Sequence, residues 1–214
     1  MYCLLQSQFE VGSTGKSFTD LNASCQMTYF DLSKVQTAIE NSSARCGDTK
    51  IVTIDGPAGS GKTTLANELA TVLIAAQGAA SVIHLDELYE GWDGALAQKL
   101  FDRIDAWILT PIKNGLSPKH LKYDWHLDKY TTWSELPLTP IVIIEGVGSG
   151  HTSLREFVSH AIWIESDEDL LLDRVVQRDG EAVRDEMLIW KSREKNYFEL
   201  HQVKKNSHIH LRGQ

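Results

Sequence analysis

Apolar residues in this chain gather into a few short unbroken runs, and the stretches between them carry apolar positions at helical spacing. The runs "IVTID" (51–55), "SVIHL" (81–85), "IVIIE" (141–145) and "HAIWIE" (160–165) have strand length and are almost wholly apolar. That is the pattern of strands buried on both faces. After the first run, Leu65, Leu69, Val72 and Leu73 form one helical stripe that ends at Gly78. Residues 94–109 place Leu96, Leu100, Ile104, Trp107 and Ile108 on one face. Helices are also predicted over 167–178, with an acidic first turn, and over roughly 181–203. "TSLREFV" suits a short helix, and "HIHLR" (208–212) a final strand. The stretch 111–140 holds four of the five prolines and reads as loop. Strands alternating with helices predict a mainly parallel sheet with helices on both faces.

Before Lys50 the pattern is weaker. Residues 1–26 are rich in Ser, Thr, Gln and Gly with no sustained period, which predicts poor order. "DLSKVQTAIEN" carries Leu32, Val35 and Ile39 at helical spacing, with Asp31 placed to cap it. Residues 1–48 therefore read as an extension with one short helix at about 31–41, and 49–214 as the main domain. Met27 is a candidate second start site.

Composition narrows the function classes. With 214 residues, 42% of them hydrophobic, the chain supports one sizeable core. A net charge of −8 argues against a nucleic-acid surface. No apolar run approaches the roughly 20 residues needed to span a membrane. The first residues lack the basic start of a signal peptide. Cys3, Cys25 and Cys46 are odd in number and widely spaced, which suggests free thiols in a reducing cytoplasm.

The strongest chemical signal is "GPAGSGKTT", which fits G-x-x-x-x-G-K-[ST] at Gly56, Gly61, Lys62 and Thr63. Glycines let several backbone N–H groups turn inward onto phosphate oxygens, and the following helix aims its positive end at the same anion. Gly56, Ala58, Gly59, Ser60, Gly61, Lys62, Thr63 and Thr64 are the expected nucleotide contacts. Lys62 reaches the outer phosphates and Thr63 offers a hydroxyl to magnesium. A second Gly-Lys-Ser, in "EVGSTGKSF", has Glu10 where the first glycine belongs and no strand before it. It reads as chance, with Lys16 solvated.

A phosphate loop says nucleotide and no more. No Asn-Lys-x-Asp segment is present to read guanine. "VIHLDE" ends in an acidic pair, as a motor's magnesium strand does, but it follows directly on the first helix. A second acidic strand end comes later, at Glu145. "IVTIDGPAGSGKTT", "HLDELYEGW", "YDW", "IVIIEG" and "RVVQRDG" stand in the order seen in the uridine kinase and phosphoribulokinase group, which the chain resembles from about Lys50 to Phe198. The resemblance implies a P-loop NTPase three-layer α/β sandwich with a short helical lid, using ATP and Mg2+. It implies that Asp86 takes the proton from the acceptor hydroxyl near magnesium, with Tyr89 beside the acceptor. Glu145 would help Thr63 and Asp86 hold the metal, Tyr123 and Trp125 would line the base pocket, and Asp93 would bind ribose. Arg174 and Arg178, four apart on one helix face, would belong to the lid and close over the transferring phosphoryl group. Uridine kinases carry a histidine a few residues after Tyr-Asp-Phe; here that position falls near Asp128, and the lid has fewer arginines.

The expectation is thus a cytoplasmic ATP-dependent phosphotransferase acting on a hydroxylated small molecule, foremost uridine or cytidine, with no nucleic-acid or membrane partner. A nucleoside monophosphate acceptor would need further arginines, and Arg103 and Arg155 are the spares. The alternatives are an ATPase or regulatory module using Asp86 and Glu87, and a nucleotide-binding protein without turnover.

Overall fold

The computed structural model describes residues 31–213. The readings of the polar tail, the second Gly-Lys-Ser, Cys3, Cys25 and Met27 lie outside the described residues. In chain order the strands are β1 (Lys50–Asp55), β2 (Ser81–His84), β3 (Lys119–Asp124), β4 (Lys129–Glu135), β5 (Ile141–Glu145), β6 (Val158–Glu165) and β7 (Ile209–Arg212). The helices are α1 (Leu32–Asn41), α2 (Lys62–Gln77), α3 (Gly91–Gly94), α4 (Gln98–Ile104), α5 (Thr110–Lys113), α6 (Glu168–Asp179) and α7 (Arg184–Leu200).

Five strands form one parallel sheet in the order β2-β5-β1-β6-β7. Successive side chains point to opposite faces of a strand, and the apolar runs are divided accordingly. Val52, Ile54, Ile141, Ile143, Ile162 and Ile164 pack with Leu65, Leu69 and Leu73 of α2 on one face. Ile51, Val142, Ile144 and Trp163 pack with α4, α5 and α7 on the other. The central strand β1 lies between neighbours whose connections run in opposite directions. The crevice beyond its carboxyl end is where such sheets bind ligands.

Helix α1 belongs to the first of these cores, for Leu32, Val35 and Ile39 are buried against α2 and the sheet. Lys50 at the foot of β1 donates to the carbonyls of Ile39 and Glu40 at 3.1 and 2.7 Å, a cation placed at the helix's negative end. Asp31 stands at the N-cap position as expected, and its carboxylate accepts from the Ser33 hydroxyl.

Three expectations are corrected. The stretch 111–140 is not mostly loop: β3 and β4 pair antiparallel as a hairpin. Pro118 and Pro137 flank the paired residues, so neither removes a ladder donor, and β4 is too exposed to show an apolar alternation. The helix over 94–109 begins at Gln98, widens by one residue over Asp105–Leu109 and continues as α5. The wide turn comes just before Pro111, whose ring nitrogen has no hydrogen for the carbonyl one turn back. "TSLREFV" makes only a single tight turn, Thr152–Leu154.

Among the described residues no helix is long and apolar enough to cross a membrane. Cys46 is a free buried thiol, and burial pushes its pKa up to about 11.

Because Ile39 is fully buried, Ile39→Ala is expected to lower the unfolding free energy by about 2–5 kcal/mol. Urea denaturation should show a lower midpoint at unchanged slope. No change in midpoint would mean that α1 is not part of the cooperative core.

Candidate active site

The loop between β1 and α2 sits at the carboxyl end of the central strand. Gly56 has φ +151°, and a Cβ there would lie 1.9 Å from the Ile164 carbonyl oxygen. Gly59 has φ +81°, and its Cβ would meet the Leu171 carbonyl oxygen at 2.4 Å. Only glycine fits both the space and the angles, so β6 and α6 press against the outside of the loop and its inner side faces the cavity. Lys62 is buried, and its Nζ donates to the carbonyls of Gly56 and Pro57 at 2.9 and 2.8 Å. Burial holds its pKa below the usual lysine range.

The loop opens into a cavity of about 700 Å³. Gly59, Ser60, Gly61, Lys62, Thr63 and Thr64 line one end, together with Arg174 and Arg178 of α6. Arg174 donates to the Ser166 hydroxyl at 2.8 Å, and Arg178 is held by both carboxylate oxygens of Asp179. Asp86, Tyr89, Trp92, Trp125, Val147, Met187 and Trp190 line it as well. Glu145 also lines it, accepting from the Thr63 hydroxyl at 3.0 Å and pairing with His84 Nδ1 at 2.6 Å. Burial works against a charged His84 ring, yet the Glu145 carboxylate raises its pKa above the usual value.

Asp86 stands in the tight turn directly after β2. Burial, and then the negative charge of Glu145, lift its pKa above the ordinary carboxylate range. A carboxylate of raised basicity beside a phosphate cradle suits proton abstraction from an alcohol. Thr63, Glu145 and Asp86 present hard oxygen donors on one cavity wall. Among the described residues no group of three or more His, Cys, Asp or Glu could hold a metal by itself. Such a set fits Mg2+, which takes one or two carboxylates and completes its shell with phosphate oxygens and water.

Two expected acceptor contacts stand elsewhere. Asp93 is on exposed α3 and pairs with Arg193 at 2.8 Å, away from the cavity. Tyr123 points its hydroxyl to Asp128 and packs its ring edge-on against Trp125 and Tyr130, so it backs the cavity wall without lining it. Glu87, which the ATPase alternative would use, is largely covered. It accepts from Lys122 at 2.8 Å and pairs with His120 at 3.1 Å, tying the β2 turn to β3. Arg103 is bound to Glu90 and to the Tyr130 hydroxyl, and Arg155 to the His201 carbonyl.

The sequence reading missed Asp55, His84, Trp92, Met187, Trp190 and Glu194. Glu194 matters most to the nucleotide end: it is 3% exposed, and its Oε2 accepts the Ala58 N–H at 3.0 Å. Burial lifts its pKa to about 7 against the pull of Lys62. The spacing of Trp190, Glu194 and Tyr197, at i, i+4 and i+7, marks one helix face and was the available signal.

A phosphate loop at the end of the central parallel strand β1, with Glu145 ending the adjacent β5, Asp86 following β2 and arginines on a covering helix, defines a P-loop protein. The family model described as an AAA domain matches residues 52–200, and the chain belongs to that family. Among solved structures, the chain is similar to a possible uridine kinase from Bacillus stearothermophilus, at 20% identity and TM-score 0.62, covering 84% of this chain and 96% of that one. It is similar to a candidate fructose transport system kinase from Silicibacter sp., at 19% identity and TM-score 0.54, covering 86% and 100%. A third is a candidate P-loop kinase with a circular permutation from Saccharomyces cerevisiae, at 12% identity and TM-score 0.53, covering 86% and 98%. No curated protein matches the sequence. At these identities the likenesses establish the fold.

The raised pKa of Glu194 carries a sign. Its folded value, about 7, lies above the ordinary 4.5, so the folded protein keeps a proton that the unfolded chain releases. That contribution is complete at low pH and fades as pH rises through about 7. Glu194→Gln, which keeps an acceptor for Ala58 and cannot ionise, is expected to gain in melting temperature over the parent as pH is raised. A difference that stays constant across the range would refute this assignment.

Proposed function

We propose that the protein is an ATP- and Mg2+-dependent small-molecule kinase that transfers the γ-phosphoryl group to an alcohol, with a uridine- or cytidine-like nucleoside as the foremost acceptor. The observation that carries this reading is one cavity lined both by the phosphate loop and by the half-buried Asp86. In this reading the loop amides and Lys62 hold the nucleotide, and Thr63, Glu145 and Asp86 hold the metal. Bound there, Mg2+ supplies charge neutralisation at the phosphates. Asp86 takes the proton from the acceptor hydroxyl, whose oxygen forms the new bond to phosphorus. The bond from the γ-phosphorus to the bridging oxygen breaks, and ADP leaves. Arg174 and Arg178 offset the charge on the transferring group.

Glu87 favours transfer to an alcohol over hydrolysis. A motor that activates water with an Asp-Glu pair needs both carboxylates at the nucleotide, and Glu87 is committed to His120 and Lys122. The nucleoside monophosphate alternative would draw on Arg103 and Arg155, whose guanidinium groups are engaged outside the cavity.

The test is to incubate the protein with Mg-ATP and a panel of nucleosides, nucleotides, sugars and amino alcohols, following ADP and phosphorylated product. ADP release should depend on an acceptor. Asp86→Asn is expected to slow transfer by about 10²–10⁴-fold while ATP binding survives. Strong ADP release without acceptor would sink the kinase reading, and unchanged transfer in the variant would remove Asp86 from its role.

A further inference from the structure

A second cavity, of about 180 Å³, shares no lining residue with the first. Thr53 of β1 and Ala161 of β6, which are register partners, form part of its wall. Four polar side chains from four segments complete it. Arg45 comes from the link between α1 and β1, Ser149 from the turn after β5, Arg155 from the turn before β6 and His208 from the link between α7 and β7.

These side chains have hydrogens to spare. Arg45 donates to the Val158 carbonyl at 3.3 Å, and Arg155 to the His201 carbonyl. A guanidinium carries five N–H groups, so most of each fork stays available. Among the described residues neither arginine is ion-paired with a carboxylate, and no Asp or Glu lines the cavity. Asp55 lies behind Gly150, whose N–H it accepts at 2.8 Å, and its oxygens are taken by backbone amides and the Tyr197 hydroxyl. Ser149 is fully buried, and its hydroxyl has no hydrogen-bond partner among the described residues. His208 Nδ1 accepts the Ala161 N–H at 2.8 Å, which leaves the hydrogen of the neutral ring on Nε2.

A buried hydroxyl without a partner and a half-buried guanidinium without a counter-charge are both costly, and one anionic acceptor relieves both. Two guanidinium forks match a dianion better than a monoanion. A phosphate group carries close to two charges and three strong acceptor oxygens. The cavity is below the roughly 300 Å³ at which pockets enclose drug-sized ligands, so it suits such a group alone or on a small organic body, and not a nucleotide. We propose that this cavity is a second anion site, separate from the phosphate loop, which takes one phosphate group on Arg45 and Arg155, with Ser149 and His208 as further donors.

The test uses the full chain with Mg2+ and the non-hydrolysable ATP analogue AMP-PNP present to fill the phosphate loop. Inorganic phosphate, methyl phosphate and acetate are titrated in by calorimetry. At least one of the two phosphate compounds should bind at a single site per chain, with a dissociation constant of about 1 mM or lower. Its affinity should fall as salt is added. Tighter binding of inorganic phosphate identifies the free ion as the ligand, and tighter binding of methyl phosphate identifies a phosphoryl group on an organic body. Arg45→Ala should weaken binding by about tenfold or more, and Arg45→Lys, which keeps the charge and loses the fork, should restore only part of it. Arg45 is exposed, which makes both variants compatible with folding. Ser149→Ala should also weaken binding by about tenfold, while the melting temperature without phosphate stays level or rises, because a buried hydroxyl with no partner is removed. The proposal is overturned if neither phosphate compound binds up to about 10 mM, which would leave a cavity that holds water only. It is equally overturned if acetate binds as tightly as phosphate, or if Arg45→Ala and Ser149→Ala leave phosphate affinity unchanged, which would assign the binding to the phosphate loop.

Discussion

The carboxylate of Asp55, at the tip of the central strand, holds three separate parts of the molecule in register. It is 1% exposed. Its Oδ1 accepts the Gly56 N–H at 2.7 Å; its Oδ2 accepts from Gly150 at 2.8 Å, from the Tyr197 hydroxyl at 3.0 Å and from Gly148 at 3.2 Å. The phosphate loop, the segment after β5 and helix α7 thereby share one anion. A buried charge is tolerable only when its lone pairs are satisfied, and burial still lifts this pKa to about 6. The loop after β5 supplies Val147, whose carbonyl fixes Tyr89. The positions of the nucleotide cradle and of the acceptor wall therefore both lead back to Asp55.

The cavity joins two unlike surfaces. One is backbone N–H groups, a lysine and two arginines, suited to a polyanion. The other is a ring of aromatic faces with acidic residues at its base. Thr63, Glu145 and Asp86 lie along the seam, where a phosphoryl group would leave one ligand for the other. Its acidic residues come from the carboxyl ends of adjacent parallel strands, β2 and β5, which pair from Ser81↔Val142 to His84↔Glu145.

Most of the sheet was legible because a strand buried on both faces is an unbroken apolar run, and four such runs became β1, β2, β5 and β6. The phosphate loop was legible because its geometry admits only glycine at fixed positions. The hairpin of β3 and β4 was hidden, since one strand lies on the surface and has no need of apolar alternation. The acceptor wall was half visible. Tyr89 and Trp125 stand beside recognisable motifs, whereas Trp190 lines the cavity and Glu194 holds the phosphate loop from a helix about 130 residues further on, a closeness that only the tertiary fold creates. Asp93 and Tyr123 show the converse: position beside a motif does not fix where a side chain points.

Helix α7 bears on all of these parts through a single face. Trp190 closes the ring wall, Glu194 holds the Ala58 amide and Tyr197 holds Asp55, and all three are buried. A rigid rod in contact with both binding ends cannot respond to one ligand without altering the other's environment. On the proposed kinase reading, any coupling that α7 carries from nucleotide to acceptor would be equal in size in the reverse direction. The helix is thus the element through which, on that reading, the occupancy of one ligand would report on the other.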